Sequence, residues 1–433
     1  MITKIEVSGY RLLQDFHADL GQLNVVIGAN ATGKSTLIDF LQLVTDCMFV
    51  PVNTAIKYHG GLNSMANASR GAKALRWLLE FKKPRSNLAW AGVPLKEGLT
   101  YAYEVSLAGD PYGQAIPEFE ILRNRDPYPN YASPLKFLEM TPDRSFLFDS
   151  KQGRLVPFDS AVPNQPNSGQ QQPGSSPEQP SGDLPGSSRQ EQMLRLGQMR
   201  FYNDYPVPTW TRTLFTNFAF YPGFDVGRAS KLRTEAAEIR PDTAVDRDGS
   251  NLGTFLHEML TRYEYRSFAD NLREILRTAY PWFADILAET SYGTPPKVLV
   301  RLREQGVRRS YEVWELSDGT LRFLCLLAAL LNPRPAPLIA IDEPEVGLHP
   351  RLLPILGDVI KTASEQSQIL VTTHSPELLD RFSLEDVAVM TREESRAIWD
   401  RPDSQQMLRE MLESVTGTRL SDLHRSGELE MRA

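Results

Sequence analysis

A mixed α/β fold, a sheet flanked by helices, is what this sequence predicts, and three segments carry the prediction. Near the start, the apolar run Leu23 to Ile27 leads into a glycine-bounded loop and then a helical pattern over Lys34 to Asp46. Near the other end, the run Leu338 to Ile341 closes on Asp342-Glu343, and the run around Val371 closes on His374. Short apolar runs of this length, bounded by turn and polar signals, read as buried strands. Two lobes then come from the chain ends, with an α-rich subdomain inserted between them.

Each element has its own justification. In Met1 to Gly28, which reads as two or three strands, Ile5 and Val7 alternate with Lys4, Glu6 and Ser8. The helix over 34–46 sets Leu37, Ile38, Leu41 and Val44 at helical spacing. Residues 74–83 and 98–107 read as strands of an antiparallel sheet that flanks an N-terminal lobe, 1–160. Over 161–192 the chain is almost entirely Gln, Pro, Ser, Gly and Asn. Such a segment has too little apolar surface to offset its ordering entropy, so a disordered loop is expected. Residues 193–295 read as an inserted, mainly helical subdomain, with Asn251 and Ser267 as N-caps of its two most periodic stretches. Its aromatic-rich stretches, 202–210 and 215–224, are expected to pack a core. The C-terminal lobe, 296–433, opens with strands over 297–303 and 309–314.

Composition narrows the class. With 41% hydrophobic and 23% charged residues, the 433-residue chain can bury a sizeable core, which excludes fibrous and wholly disordered readings. No apolar run reaches the ~18 residues of a membrane helix, and no secretory hydrophobic block opens the chain. Two cysteines, Cys47 and Cys325, rule out a disulfide framework and fit a reducing compartment, so a cytoplasmic protein without membrane partners is expected. At net charge −7, double-stranded DNA would have to be met by a local basic patch. Two candidates exist: Arg70, Lys73 and Arg76, and Arg301, Arg303, Arg308 and Arg309. Strand alternation puts Arg301 and Arg303 on one face.

Four short segments carry chemistry. Gly28-Ala29-Asn30-Ala31-Thr32-Gly33-Lys34-Ser35 matches G-x-x-x-x-G-K-[ST], placed between a strand and a helix. The glycines let backbone N–H groups cradle the phosphates of ATP at a helix N-terminus. Asn30, Ala31, Thr32 and Thr36 complete this lining, Lys34 reaches the β- and γ-phosphates, and Ser35 ligates Mg²⁺. Asp342 is expected to hold the Mg²⁺ shell, and Glu343 to orient or deprotonate the attacking water. Ser317 and Gly319, in Leu316-Ser317-Asp318-Gly319-Thr320 before a helix from Leu321, form a second anion nest. His374 ends the strand that follows Asp342.

The set GANATGKST, ELSDGT, LIAIDEPEVGLHP and TTHSPELL resembles ABC-type ATPases of the SMC/RecF/OLD branch, and the small RecF-like predicted ATPases of bacteria in particular. That resemblance implies a P-loop NTPase fold and a homodimer in which two protomers sandwich two ATP molecules. Lys34, Ser35, Asp342, Glu343 and His374 then act in cis, with His374 as the switch histidine and Lys34, Glu343 and His374 as the catalytic set. Ser317 and Gly319 act in trans. Ala31 stands where many relatives have glycine, so positive φ is not expected there. Glu345 and His349 are expected to serve the dimer contact. A long coiled coil is absent between Gly28 and Ser317. The stretch after His374 is too short for a ~100-residue nuclease domain, so a nuclease or effector would be a separate protein. The expected function is ATP hydrolysis in a DNA transaction, repair or defence against foreign DNA. The alternatives are an ATPase that regulates a separate effector, and a transporter ATPase subunit.

Overall fold

A computed structural model describes residues 1–65, 74–83, 96–110, 112–127, 134–161, 193–199, 204–234, 241–290, 297–402 and 419–431. The expected disordered loop lies outside them beyond its first residue, as do Arg70 and Lys73.

The opening segment forms three strands. β1 (Ile2–Ser8) pairs antiparallel with β2 (Phe16–Asp19), and β3 (Leu23–Ile27) is buried at all five positions. Burial on both faces is what a near-continuous apolar strand in a parallel sheet requires. Beyond β1, an antiparallel meander runs through β4 (Ala74–Phe81), β5 (Tyr101–Gly109), β6 (Ala115–Asn124), β7 (Lys136–Thr141), β8 (Arg144–Asp149) and β9 (Arg154–Pro157). Together they make an eight-stranded sheet in the order β2-β1-β4-β5-β6-β7-β8-β9, in which the two strands expected to flank the first lobe are neighbours.

The middle of the chain is mainly helical among the described residues, with two strands as exceptions. Helices occupy Pro206–Thr216, Leu252–Thr261 and Arg266–Ala279, but β10 (Ala219–Tyr221) and β11 (Phe283–Thr290) are strands. β11 buries Phe283 and Ile286, three apart, because its register with β12 (Val298–Glu304) shifts between Phe283 and Asp285. A bulge therefore mimics helical spacing. Ser267 is not a cap, since that helix starts at Arg266 with Tyr265 as its N-cap, whereas Asn251 does precede the helix at Leu252. β13 (Ser310–Glu312) completes a three-stranded antiparallel sheet with β11 and β12. The aromatic stretches pack as expected: Trp210, Phe215, Phe220 and Phe224 are buried.

The nucleotide-type sheet joins distant parts of the chain. β14 (Leu338–Asp342), β15 (Gln368–Thr372), β16 (Val387–Glu393) and β17 (Arg396–Asp400) combine with β3 and β10 in the order β10-β14-β15-β3-β16-β17. All neighbours are parallel except β16 and β17. Helices cover both faces, as such a sheet demands. On one side the helix Lys34–Asp46 packs Leu37, Phe40 and Leu41 into a core shared with Trp77 and Tyr101 of the antiparallel sheet. On the other, Val25 and Ile27 meet Leu324 and Leu327 of the helix Asp318–Leu330 and Leu356 of the helix Leu353–Ser364.

One buried side chain fastens the two large sheets. Gln368 Oε1 accepts from Ile2 N at 2.8 Å, and its Nε2 donates to Ile2 O at 2.7 Å and Gly21 O at 2.8 Å. Every polar atom of this buried amide is satisfied by backbone, so the first strand is held as if by an extra ladder rung.

Candidate active site

The topology gathers three of the four chemical segments. β14, β15 and β3 run parallel and adjacent, with Asp342 opposite Thr372 and Thr372 opposite Val26. The glycine loop follows β3, the acidic pair ends β14, and Thr373-His374 follows β15. All three stand at the carboxyl edge of one sheet, where open α/β folds place their ligands.

The loop after β3 has the backbone of a phosphate nest. Gly28, Ala31 and Gly33 have φ of 146°, 62° and 111°. The expectation for Ala31 is thus overturned: closing the nest around an anion takes left-handed geometry there, and a non-glycine residue bears about 1–2 kcal/mol of strain for it. Gly28 admits no substitute, since a Cβ on it would sit 2.0 Å from Met390 O. Lys34, 6% exposed, turns its Nζ back onto Gly28 O at 2.8 Å and Ala29 O at 2.9 Å. Thr32 Oγ1 donates to Ala29 O at 3.0 Å and braces the same turn. Asn30 and Ser35 are exposed and Thr36 half-buried, so the Ser35 hydroxyl is open to a ligand.

The acidic pair is held from the neighbouring strand. Thr372 Oγ1 donates to Asp342 Oδ1 and accepts from Glu343 N at 3.0 Å, while Glu343 N also approaches Thr372 O at 3.1 Å. These bonds fix Glu343 at a left-handed φ of 46°, strain of the kind that collects at functional sites. His374 Nε2 lies 3.7 Å from Glu343 Oε1, beyond hydrogen-bond range, and is buried without a partner. An orphaned imidazole nitrogen beside a phosphate nest fits a phosphate oxygen or its hydroxyl. Mg²⁺ fits as well: it favours a hydroxyl, a carboxylate, water and phosphate oxygens over an all-protein cage. Ser35 and Asp342 supply the first two. Among the described residues no group of three His, Cys, Asp or Glu side chains could hold a metal alone.

The fourth segment lies on no strand of this sheet. Ser317 caps the helix Asp318–Leu330, its Oγ accepting from Thr320 N at 3.1 Å and lying 2.8 Å from Thr320 Oγ1, and the residue is exposed. Arg233, a residue that sequence reasoning missed, clamps the approach. Its guanidinium, 8% exposed, donates to Trp314 O at 2.8 Å, Leu316 O at 2.9 Å and Asp318 Oδ1 at 2.5 Å. A Cβ at Gly319 would meet Gly347 O at 2.7 Å, and Arg322 Nη1 donates to Val346 O at 2.7 Å. The helix Asp318–Leu330 therefore touches the loop that follows Glu343. Glu345 does not face outward as a dimer contact. Its Oε1 accepts from Thr373 Oγ1 and His374 N, whereas His349 is exposed and accepts from Arg351 N.

Behind the glycine loop, a charged network steadies its helix. His59, its side chain 4% exposed, bonds Asp39 Oδ1 at 2.7 Å through Nδ1 and Asp46 Oδ2 at 2.9 Å through Nε2. Tyr10 OH donates to Asp39 at 2.6 Å and Arg11 pairs with it at 2.7 Å. Burial alone would lower the imidazole pKa, but bonds to two carboxylates, and their charge, push it up to about 9.

Three arginines of the basic patches are answered by carboxylates. Arg76 pairs with Glu104, Arg301 with Glu289 and Glu312, and Arg309 with Glu315. Arg301 and Arg303 do share the more exposed face of β12, as alternation predicts.

The fold is of the P-loop NTPase type, and comparison with known proteins agrees. Residues 1–86 match the family described as "AAA ATPase domain", and residues 224–380 match "AAA domain, putative AbiEii toxin, Type IV TA system". The chain is similar to the crystal structure of the SmcHead bound to the C-winged helix domain of ScpA, at TM-score 0.53 and 13% identity, over 92% of this chain and 96% of that one. It is similar also to the Smc head domain with an extended coiled coil bound to the C-terminal domain of ScpA derived from Pyrococcus furiosus. There the TM-score is 0.52 at 13% identity, over 95% and 99% of the two chains. No curated protein matches the chain in sequence. Within the P-loop class, the chain is similar in fold to SMC head domains.

Proposed function

We propose that this protein hydrolyses Mg²⁺-ATP as an ATP-sandwiched homodimer, and that the dimer switches a DNA transaction in repair or in defence against foreign DNA. One observation carries the reading: Lys34, Ser35, Asp342, Glu343 and His374 share one sheet edge, while Ser317 is exposed at the start of a helix outside that sheet. A second copy would bring its own Ser317 nest to the first copy's phosphates, as the resemblance to ABC-type ATPases implies.

The residues divide the work by their geometry. Lys34 exchanges Gly28 O and Ala29 O for phosphate oxygens, which offsets the loss of its two backbone bonds. Ser35 and Asp342 would hold Mg²⁺, which would neutralise charge on the phosphates. Glu343, fixed by Thr372, accepts a proton from the attacking water, and His374 Nε2 meets the γ-phosphate. The partner's copy of Ser317 and Gly319 would close the other side.

Glu343→Gln tests the reading, since it removes the proton acceptor and leaves the binding groups. With saturating ATP this variant should be a dimer by light scattering, with turnover about 100-fold or more below wild type, from the lower end of a general base's contribution upward. A monomer that binds ATP under those conditions contradicts the sandwich. Turnover of the wild-type chain with and without linear double-stranded DNA separates the process. Stimulation supports the DNA role. Indifference favours the second reading, an ATPase that regulates a separate effector, which the carboxylate partners of Arg76, Arg301 and Arg309 already favour.

A further inference from the structure

A third carboxylate stands in the site with no part in the chemistry so far described. Glu345, two residues after Glu343, points inward. Its Oε1 accepts from Thr373 Oγ1 at 2.8 Å and from His374 N at 2.7 Å. Its Oε2 is buried without a partner. Withdrawing one carboxylate oxygen from water without compensation is unfavourable, and a neutral side chain could close the same turn with less desolvation. The carboxylate's two bonds do something a turn does not need: both end on the strand terminus that carries the switch histidine.

The rest of the turn shows what is tied to what. Val346 N donates to Glu343 O at 3.1 Å and Leu348 N to Glu345 O at 3.0 Å, so the segment is wound tightly from the hydrolytic residue onward. On the strand side, Thr372 holds Glu343 and Thr373 holds Glu345. Asp342-Glu343-Pro344-Glu345 and Thr372-Thr373-His374 are therefore laced together by consecutive side chains. Without Glu345, the His374 amide loses its acceptor, and the imidazole hangs from a backbone free to shift against Glu343.

We propose that Glu345 is a positioning residue for hydrolysis: it fixes the backbone of His374, and so the imidazole, relative to Glu343. This rests on the hydrolytic reading above and names a further residue in it. Glu345 touches neither phosphate nor water in this role. Its effect falls on the chemical step and spares ATP binding, to which the nest and Lys34 contribute most.

The test uses the full chain and four variants, Glu345→Ala, Glu345→Gln, Thr373→Val and Thr373→Ser, with ATP affinity and kcat measured separately. Glu345→Ala should lower kcat about 100-fold, as an ångström-scale misplacement of a reacting group does, with ATP Kd held within about threefold. Glu345→Gln keeps an acceptor oxygen for both donors and should recover most of that loss. Thr373→Val should lower kcat less than Glu345→Ala, and Thr373→Ser should restore it. Hydrogen exchange at the His374 amide in the nucleotide-free chain reads the contact without any turnover, and should be faster in Glu345→Ala than in wild type.

The outcomes separate the two ideas. Wild-type turnover with Glu345→Ala at the wild-type rate overturns the positioning role and leaves the hydrolytic reading standing. A parallel loss of affinity and kcat reduces Glu345 to a structural residue and also overturns it. Unchanged exchange at His374 removes the contact itself. A wild-type chain that binds ATP without turnover overturns the hydrolytic reading and the positioning role with it.

Discussion

Raising the pH through 8 and 9 should loosen the helix that carries the glycine loop, because the imidazole of His59 is the cation that joins its two aspartates. Its pKa lies at about 9 in the folded chain against an ordinary 6.5. Both states are protonated below 6.5, and there the network's stabilisation is complete. Between 6.5 and about 9 only the folded chain holds the proton, so stability declines by about 1.4 kcal/mol per pH unit. The whole gap is worth about 3 kcal/mol, and above about 9 it is gone. Asp39 does not confuse the window, since its bonds to His59 and Tyr10 outweigh burial and hold its carboxyl below the usual carboxylate range. The assay compares wild type with His59→Gln, which keeps polar atoms and loses the titration. Urea unfolding at pH 6.5 should favour wild type by about 3 kcal/mol more than the same comparison at pH 9.5. In parallel, the imidazole carbon-bound proton resonance missing from His59→Gln should titrate near 9. A stability difference that stays flat across this window, or a resonance that titrates near 6.5, refutes the charged bridge.

Ser317→Arg places a long cation on an exposed helix N-terminus. It should abolish hydrolysis by about 100-fold or more while each chain still binds ATP with Kd within about threefold of wild type, as read by fluorescent-nucleotide titration. Undiminished turnover would remove Ser317 from the trans site. Gly28→Ala drives a methyl group into Met390 O, which a backbone oxygen cannot yield to at low cost. Its expected outcome is loss of ATP binding with a melting temperature lowered by several degrees, the scale of about 1–3 kcal/mol in a chain of this size; normal ATP affinity would contradict the packing.

The parts of the site legible in the sequence are those whose function is contiguous. A phosphate nest needs its glycines, lysine and serine in one short run, and Gly28 to Ser35 supplies them, so residue types alone reveal the chemistry. Asp342-Glu343 and His374 are legible for the same reason, each at the end of an apolar strand. What stayed hidden acts across the chain. Thr372 is an unremarked strand residue until β15 lies beside β14 and sets its hydroxyl against Asp342. Arg233 sits in no motif, and only folding brings it to Trp314, Leu316 and Asp318. Glu345 looked like an outward contact because spacing along a loop does not say which way a side chain turns. Ala31 misled because its left-handed backbone is imposed by the nest and not by its own preference. β10, only three residues long, is too short for any period to show.

The neighbours of β3 govern how such a chain can be made. β3 lies between β15 and β16, and the loop that follows it rests under Met390 on β16. A ribosome releases β3 and the glycine loop long before the strands that flank them. Until then an apolar strand waits with both edges unpaired, the state most open to wrong association. Pairings this distant in sequence close slowly, after most of the loop entropy has been spent. The loop's surroundings are thus completed only once β15 and β16 have emerged, although the loop itself emerges long before them.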